Sequence, residues 1–343
     1  MKKTILIAGS GGYLGSEMVK DFLSKGYKIK ALDRHFFGYK FGDIENKNIE
    51  VIQEDIRWIG EDFLRGVDVI INLAGLSNDP SVDLAPAASE DINYIGAVEL
   101  AKKAKNVGVK KYIFSSSCSV YGQGDDTQLT EESKLRPVSL YAILKAKAEE
   151  EILSLSDDNF CVTSLRNSTL YGLSEHRMRF DLVVNLMTLN AWRDGKIFVL
   201  GGGEQWRPLM HLKDAINAFE RVIEEDNLSK INKQTFNVGS NNQNYKIIQV
   251  ANLVRNVLPN TKIESIPSDT DKRDYNVLFN KIRQILNFEP RFTVEDGIKE
   301  IVEALERKII DGNDTRTNTV RYYKHLIDTD RVLSDVKLRG RIF

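Results

Sequence analysis

Cysteine is scarce. Cys118 and Cys161 are the two in 343 residues, too few for a disulfide framework, and no metal-ligand cluster accompanies them. Neither sign of charge prevails: Lys and Arg number 48 against 49 Asp and Glu, for a formal net charge of −1. That balance gives no reason to expect a nucleic-acid groove or a membrane-binding face. A local basic excess over residues 316–341 reads as a solvated surface or a phosphate contact. No apolar run approaches the roughly 18–20 residues that span a bilayer. The first strand pattern begins almost at once and leaves no room for a signal peptide, so a soluble chain of the cytoplasm is expected. Internal repeats and low-complexity segments are absent. The length suffices for a sizeable core, divided between one large domain and a smaller one.

What is present begins with TILIAGSGGYLGSEMV, residues 4–19. Residues 4–8 form a nearly continuous apolar run, the mark of a strand buried on both faces. Gly9, Gly12 and Gly15 follow at three-residue intervals, and residues 16–25 carry helical apolar spacing at Met18, Phe22 and Leu23. A glycine turn opening a helix after a buried strand seats an anion. Backbone N–H groups face outward, the helix dipole favours negative charge, and the missing Cβ atoms admit a pyrophosphate. The second strand, YKIKALD, ends in Asp33, eighteen residues after Gly15. A carboxylate there accepts hydrogen bonds from adenosine ribose hydroxyls and repels a 2′-phosphate, which favours NAD over NADP. Arg34 works the other way, because its guanidinium suits that extra phosphate.

Strand and helix patterns alternate as far as Arg166. Strands are expected at residues 4–8, 28–33, 49–53, 67–73, 111–116 and 161–166, with helices at 87–106 and 140–155. Such alternation means a doubly wound parallel sheet, which binds ligands beyond the carboxyl ends of its strands. Asp55 and Ile56 after the third strand suit an adenine. Ala74 and Gly75 after the fourth are small enough for close backbone approach. Asn93, in the helix after that strand, is read as bracing its neighbours. The fifth strand ends in SSSCSVYG, residues 115–122, and hydroxyls at a strand end are costly to bury without partners. In SLYAILKAKAEEEIL, Tyr141 and Lys145 lie four apart on one helix face. A phenol is a poor base near neutrality, and an adjacent ammonium lowers its pKa. The tyrosinate then takes a proton from a substrate hydroxyl as hydride leaves the same carbon, while Ser117 holds the oxygen.

The glycine turn, SSSCSVYG and YAILK together resemble the extended short-chain dehydrogenase/reductase family, and within it the nucleotide-sugar epimerases and dehydratases. The resemblance covers nearly the whole chain. It implies a Rossmann-type α/β fold with a smaller C-terminal α/β substrate domain. Residues 1–168, with 211–240 returning, would hold the dinucleotide, and 169–210 with 241–343 the nucleotide sugar. It implies Tyr141 as base, Lys145 as its partner and nicotinamide-ribose ligand, and Ser117 as the substrate hydrogen-bonder. Cofactor contacts are implied at Gly9, Gly12, Tyr13, Leu14, Asp33, Arg34, Asp55, Ile56, Leu73, Ala74, Gly75, Asn93 and Ser115. Residues 195–215 are read as a strand, a glycine turn and a return strand. They resemble the family segment whose arginine, here Arg207, contacts the sugar nucleotide's diphosphate, with Pro208 in place of the usual aspartate. Arg273 matches a second basic residue facing that diphosphate. Ser77, Ser119 and Thr169 occupy positions beside the sugar. No metal is implied, and a homodimer is. The C-terminal tail is expected to pack on the second domain.

Departures from the pattern narrow the activity. The 4,6-dehydratases of the family carry Asp and Glu directly after the catalytic hydroxyl; Cys118 and Ser119 stand there and cannot do that acid–base work. The cysteine of GDP-fucose synthase-like enzymes aligns with Ser119. In UDP-galactose 4-epimerases an asparagine stands at Thr169 and a lysine at Ser77. RMRFDLVVN and DKRDYNV look more like enzymes oxidising C4 of GDP-linked heptoses. An NAD-dependent 4-epimerase or 4-dehydrogenase of a nucleotide-diphosphate sugar is the reading carried forward. An NADPH-dependent 4-keto-sugar reductase and a non-catalytic dinucleotide-sensing scaffold are its alternatives.

Overall fold

The computed structural model describes residues 2–123, 128–267 and 273–342; the first two residues of DKRDYNV, 271 and 272, lie outside them. In chain order the elements begin β1 (Thr4–Ala8), α1 (Tyr13–Ser24), β2 (Lys28–Asp33), β3 (Ile49–Gln53) and β4 (Val69–Asn72). Next come α2 (Asp79–Leu84), α3 (Pro86–Glu90), α4 (Ala97–Asn106), β5 (Lys111–Ser117), α5 (Leu140–Ser154) and β6 (Cys161–Asn167). The chain continues through β7 (Thr169–Tyr171), α6 (Val183–Asp194), β8 (Lys196–Leu200), β9 (Trp206–His211) and α7 (Leu212–Glu224). It ends with β10 (Gln234–Val238), β11 (Asn244–Lys246), α8 (Ile247–Val257), β12 (Lys262–Ile266), α9 (Asn280–Leu286), α10 (Val294–Glu306) and α11 (Thr319–Val336).

Seven strands form one sheet in the order β10-β6-β5-β4-β1-β2-β3, every pair parallel. This is the Rossmann-type sheet that the alternation predicts. Alternate residues of β1 serve the two faces. Ile5 and Ile7 join a cluster with residues of α1 and α7, and Leu6 and Ala8 join one with residues of α4. A strand apolar on both sides is what two helical layers demand. The strand order reverses between β1 and β4, so the crevice at their carboxyl ends is where a ligand fits.

The expected helix over 87–106 forms as α3 and α4 joined by a π-helical stretch, Asp91–Gly96. Residues 195–215 form a strand, β8, a glycine turn at 201–203 and a second strand, β9, but the two strands do not pair with each other. β8 pairs with β12, whereas β9 lies between β11 and β7. Their burial explains the separation. β8 alternates buried and exposed residues, which suits a half-exposed pair; β9 is buried almost throughout and takes a partner on each side. The tail also departs from expectation. α11 packs on α2 and on Phe36 and Phe37 beyond β2, because Tyr322 and Tyr323 find aromatic partners there.

Candidate active site

The site is built on the turn after β1. Gly9 has φ +86°, and a Cβ there would lie 2.8 Å from the Ala74 amide nitrogen. A Cβ on Gly15 would lie 2.2 Å from the Gly9 carbonyl oxygen. Only glycine lets turn, helix and neighbouring strand end meet at these distances. Gly12 caps α1 without a side-chain hydrogen bond, leaving first-turn N–H groups for a ligand. Gly9, Gly12, Tyr13, Leu14 and Gly15 line a cleft of about 330 Å³. These residues fit a dinucleotide pyrophosphate.

Asp33 stands at the same cleft. Its carboxylate accepts the Gly11 N–H at 3.0 Å and the His35 N–H at 2.6 Å. Burial pushes its carboxyl up, and the His35 and Gly11 amides oppose that. Arg34 lines the cleft as well, where it pairs with Asp55 at 3.3 Å and lies over the Phe36 ring at 4.6 Å. Asp55 also takes both arms of Arg57, at 2.9 and 2.8 Å. Burial raises Asp55, but these arginine bonds outweigh it and hold the carboxyl below its usual range. Ile56 supplies an apolar wall beside Asp55.

Leu73, Ala74, Gly75 and Ser77 line the cleft beyond β4; Asn93 does not. Asn93 is fully buried and pins the loop instead. Its Oδ1 accepts the Leu76 N–H at 2.7 Å and its Nδ2 donates to the Leu76 carbonyl at 2.9 Å. These two bonds brace the loop, the role read for Asn93 from the sequence, and engage both ends of its amide.

Ser115, Ser117, Ser119, Tyr141, Lys145 and Thr169 meet on the other side. Ser139 caps α5 by accepting the Ala142 N–H at 3.3 Å, which sets the register of Tyr141 and Lys145. Ser117 accepts the Ser119 N–H at 3.1 Å and lines the cleft together with the Tyr141 phenol. Lys145 donates to the Ser115 carbonyl at 2.8 Å and lies over Phe114 at 4.8 Å. Burial pushes Tyr141 up to about 12, helped by Asp79, while Arg179 and Ser117 pull it down. Burial brings Lys145 down to about 8, opposed by Glu149. The expected lowering of the phenol by Lys145 is therefore not the balance found. Desolvation dominates both groups, and Arg179 is the foremost cation acting on Tyr141.

Cys118 is buried and donates to the Arg166 carbonyl at 3.2 Å; burial pushes its thiol far up. Arg273 lines the cleft and pairs with Asp79 at 2.5 Å. Arg207 does not line it. This guanidinium is buried, donating to the Trp206 carbonyl at 2.7 Å and the Arg273 carbonyl at 2.5 Å. Both bonds come from its Nη1, and the second ties it to the backbone of Arg273. Sequence reasoning missed Arg177 and Arg179, both lining residues. Arg179 forks onto Asp181 at 2.9 and 3.0 Å and reaches Ser77 Oγ at 2.9 Å. Two arginines spaced i, i+2 in RMRFD were the available signal.

A model of the NAD dependent epimerase/dehydratase family matches residues 5–239. The chain belongs to that family. Its curated relatives are enzymes acting on nucleotide sugars. UDP-glucuronic acid decarboxylase 4 of Arabidopsis thaliana is 23% identical over 317 residues, covering 89% of this chain and 69% of the relative. UDP-N-acetyl-alpha-D-glucosaminuronate decarboxylase of Bacillus cytotoxicus is 25% identical over 328 residues, covering 88% and 98%. Among solved structures, the UDP-glucuronic acid 4-epimerase of Bacillus cereus, in complex with UDP-glucuronic acid and NAD, superimposes with a TM-score of 0.78 at 21% identity. That match spans 89% of this chain and 99% of the epimerase. NAD is the cofactor of the family, and the glycine turn and Asp33 suit it. No helix among the described residues is long and apolar enough to cross a membrane.

Proposed function

We propose that the chain is an NAD-dependent nucleotide-sugar epimerase or dehydrogenase that oxidises the C4 hydroxyl of its sugar. The observation that carries this reading is that Ser117, Tyr141 and Lys145 share one cleft with the glycine turn and Asp33. Bound NAD supplies an acceptor for hydride and, once reduced, its donor. Ser117 orients the sugar oxygen and Tyr141 receives its proton. Lys145, fixed on the Ser115 carbonyl, keeps a positive charge close to the site that must hold negative charge in the transition state. Arg273 on the cleft wall is the cation for the diphosphate, exchanging Asp79 for phosphate oxygens.

A C4 ketone is also what the relatives' named outcomes need, since it acidifies C5–H and makes a C6 carboxylate a β-keto acid. At positions 118 and 119 a buried thiol and a hydroxyl stand where elimination would want carboxyl groups. Return of hydride to the other face, or release of the ketone, needs neither. The reductase alternative rests on Arg34, whose engagement with Asp55 and Phe36 weighs against it. In this reading residues 1–168 with 211–240 hold the dinucleotide, residues 169–210 with 241 onward hold most of the sugar nucleotide, and the enzyme works in the cytoplasm as a homodimer.

The test is Tyr141→Phe, assayed on a panel of UDP-, GDP-, dTDP- and CDP-sugars by chromatography of products. Turnover falls by about 10²-fold or more, while the dinucleotide released on denaturation remains NAD. Unchanged turnover in the variant would remove the catalytic assignment.

A further inference from the structure

The C-terminal segment reaches the cofactor end of the cleft, where neither the sequence pattern nor the family model, which stops at residue 239, assigns it a role. Thr319 and Tyr323, from the first two turns of α11, line the same cleft as Gly12 and Asp33. The Tyr323 ring meets Phe37 at 5.6 Å and stands edge-on to Phe36 at 6.0 Å. Phe36 and Phe37 follow directly on Asp33–His35, so α11 is held against the adenosine-ribose end.

Arg177 fastens this contact. It is 3% exposed and lies flat over Phe37 at 3.4 Å. It donates to the Arg316 carbonyl and the Thr319 hydroxyl, both at 2.9 Å. The Phe180 N–H adds a bond to the Thr317 carbonyl at 2.8 Å. Arg177 lines the cleft, and its Nε–H, although buried, has no hydrogen-bond partner among the described residues. A buried donor left without a partner costs stability, and an oxygen of a bound ligand would satisfy it. The charged groups acting on the Tyr323 hydroxyl are Arg177, Asp33, Arg179 and Asp181. The far end of α11 is different in kind: Val332 is 61% and Val336 55% exposed, so only its beginning covers the cleft.

We infer that the start of α11 is part of the dinucleotide site, a strap in which Tyr323 covers the adenosine half of the cofactor and Arg177 contacts it, so that bound NAD is released slowly. This rests on the dinucleotide reading of the cleft. It suits an enzyme that hands hydride back to the sugar it came from, because such an enzyme has no need to exchange its cofactor each turnover.

The experiment uses the full chain with isotopically labelled NAD and follows exchange of bound for free cofactor. Tyr323→Ala exchanges at least about tenfold faster than the parent, since an aromatic wall is lost; Val332→Ala, at the exposed end, exchanges at the parent rate. Hydrogen–deuterium exchange of the unaltered protein decides the matter if Tyr323→Ala does not fold: NAD slows amide exchange across residues 316–326. Equal exchange rates in parent and Tyr323→Ala, or no NAD-dependent protection of that segment, overturn the strap and leave the site reading intact. A parent protein that neither carries nor binds NAD overturns both.

Discussion

Lys145 is a charged group held where charge is expensive. Its side chain is 5% exposed, with a backbone carbonyl and an aromatic ring for company. Burial brings its pKa from 10.5 to about 8. Between those values the unfolded chain keeps a proton that the native chain has lost. Stability therefore rises with pH across the window from about 8 to 10.5, and the penalty is fully present below it. Lys145→Met removes the penalty. At pH 7 the variant should gain up to about 3 kcal/mol relative to the parent, less whatever the lost hydrogen bond contributes, and the gain should shrink by pH 10. Thermal unfolding of both proteins at the two values checks the sign, and taking the difference cancels Lys111, which burial also brings to about 8. Turnover should fall in the same variant, because the cation beside Tyr141 is gone.

At the scale of elements, the contact between α1 and the end of β1 is the tightest in the molecule's site. Gly15→Ala would place a methyl 2.2 Å from the Gly9 carbonyl, and backbone on both sides cannot yield. The expected loss is about 3 kcal/mol or more, read as a lowered melting temperature together with weakened NAD binding. This turn was legible in the sequence because its requirements are local: glycine spacing, a buried strand before, a helix after. The strands were legible for the same reason. β1, β2 and β3 fall where their apolar runs lie, and β5 and β6 each extend one residue past the expected end. Tyr141 and Lys145 were legible through helical spacing. The surroundings of Arg207 were not: its Nη1 donates to the carbonyls of Trp206 and Arg273, which its register alone does not state. Arg179 and Tyr323 were hidden for a different reason. Ser77 is 102 residues from Arg179, and the rings that receive Tyr323 belong to the other end of the chain. Periodicity states which face of a helix is covered, and says nothing of what covers it.

At the scale of the whole molecule, the chain leaves its parallel sheet after β6 and comes back 67 residues later to add one more strand. β10 pairs with β6 from Gln234↔Thr163 to Val238↔Asn167, and every residue of β6 is buried. α7, delivered by the same return, packs on α1, β5 and β6. A chain cut after residue 168 would therefore present an open, apolar strand edge and a sheet face that keeps α1 but has lost α7. Such a fragment should be recovered in the insoluble fraction, and a fragment in which a linker carries residues 211–240 back to it should be soluble; the soluble yield of the two fragments distinguishes them. The half that grips the dinucleotide is thus not a cassette. Evolution or an engineer who wishes to move it to another protein must transplant two distant stretches of gene at once, and an insertion between them is tolerated only if it returns the chain to the same rim.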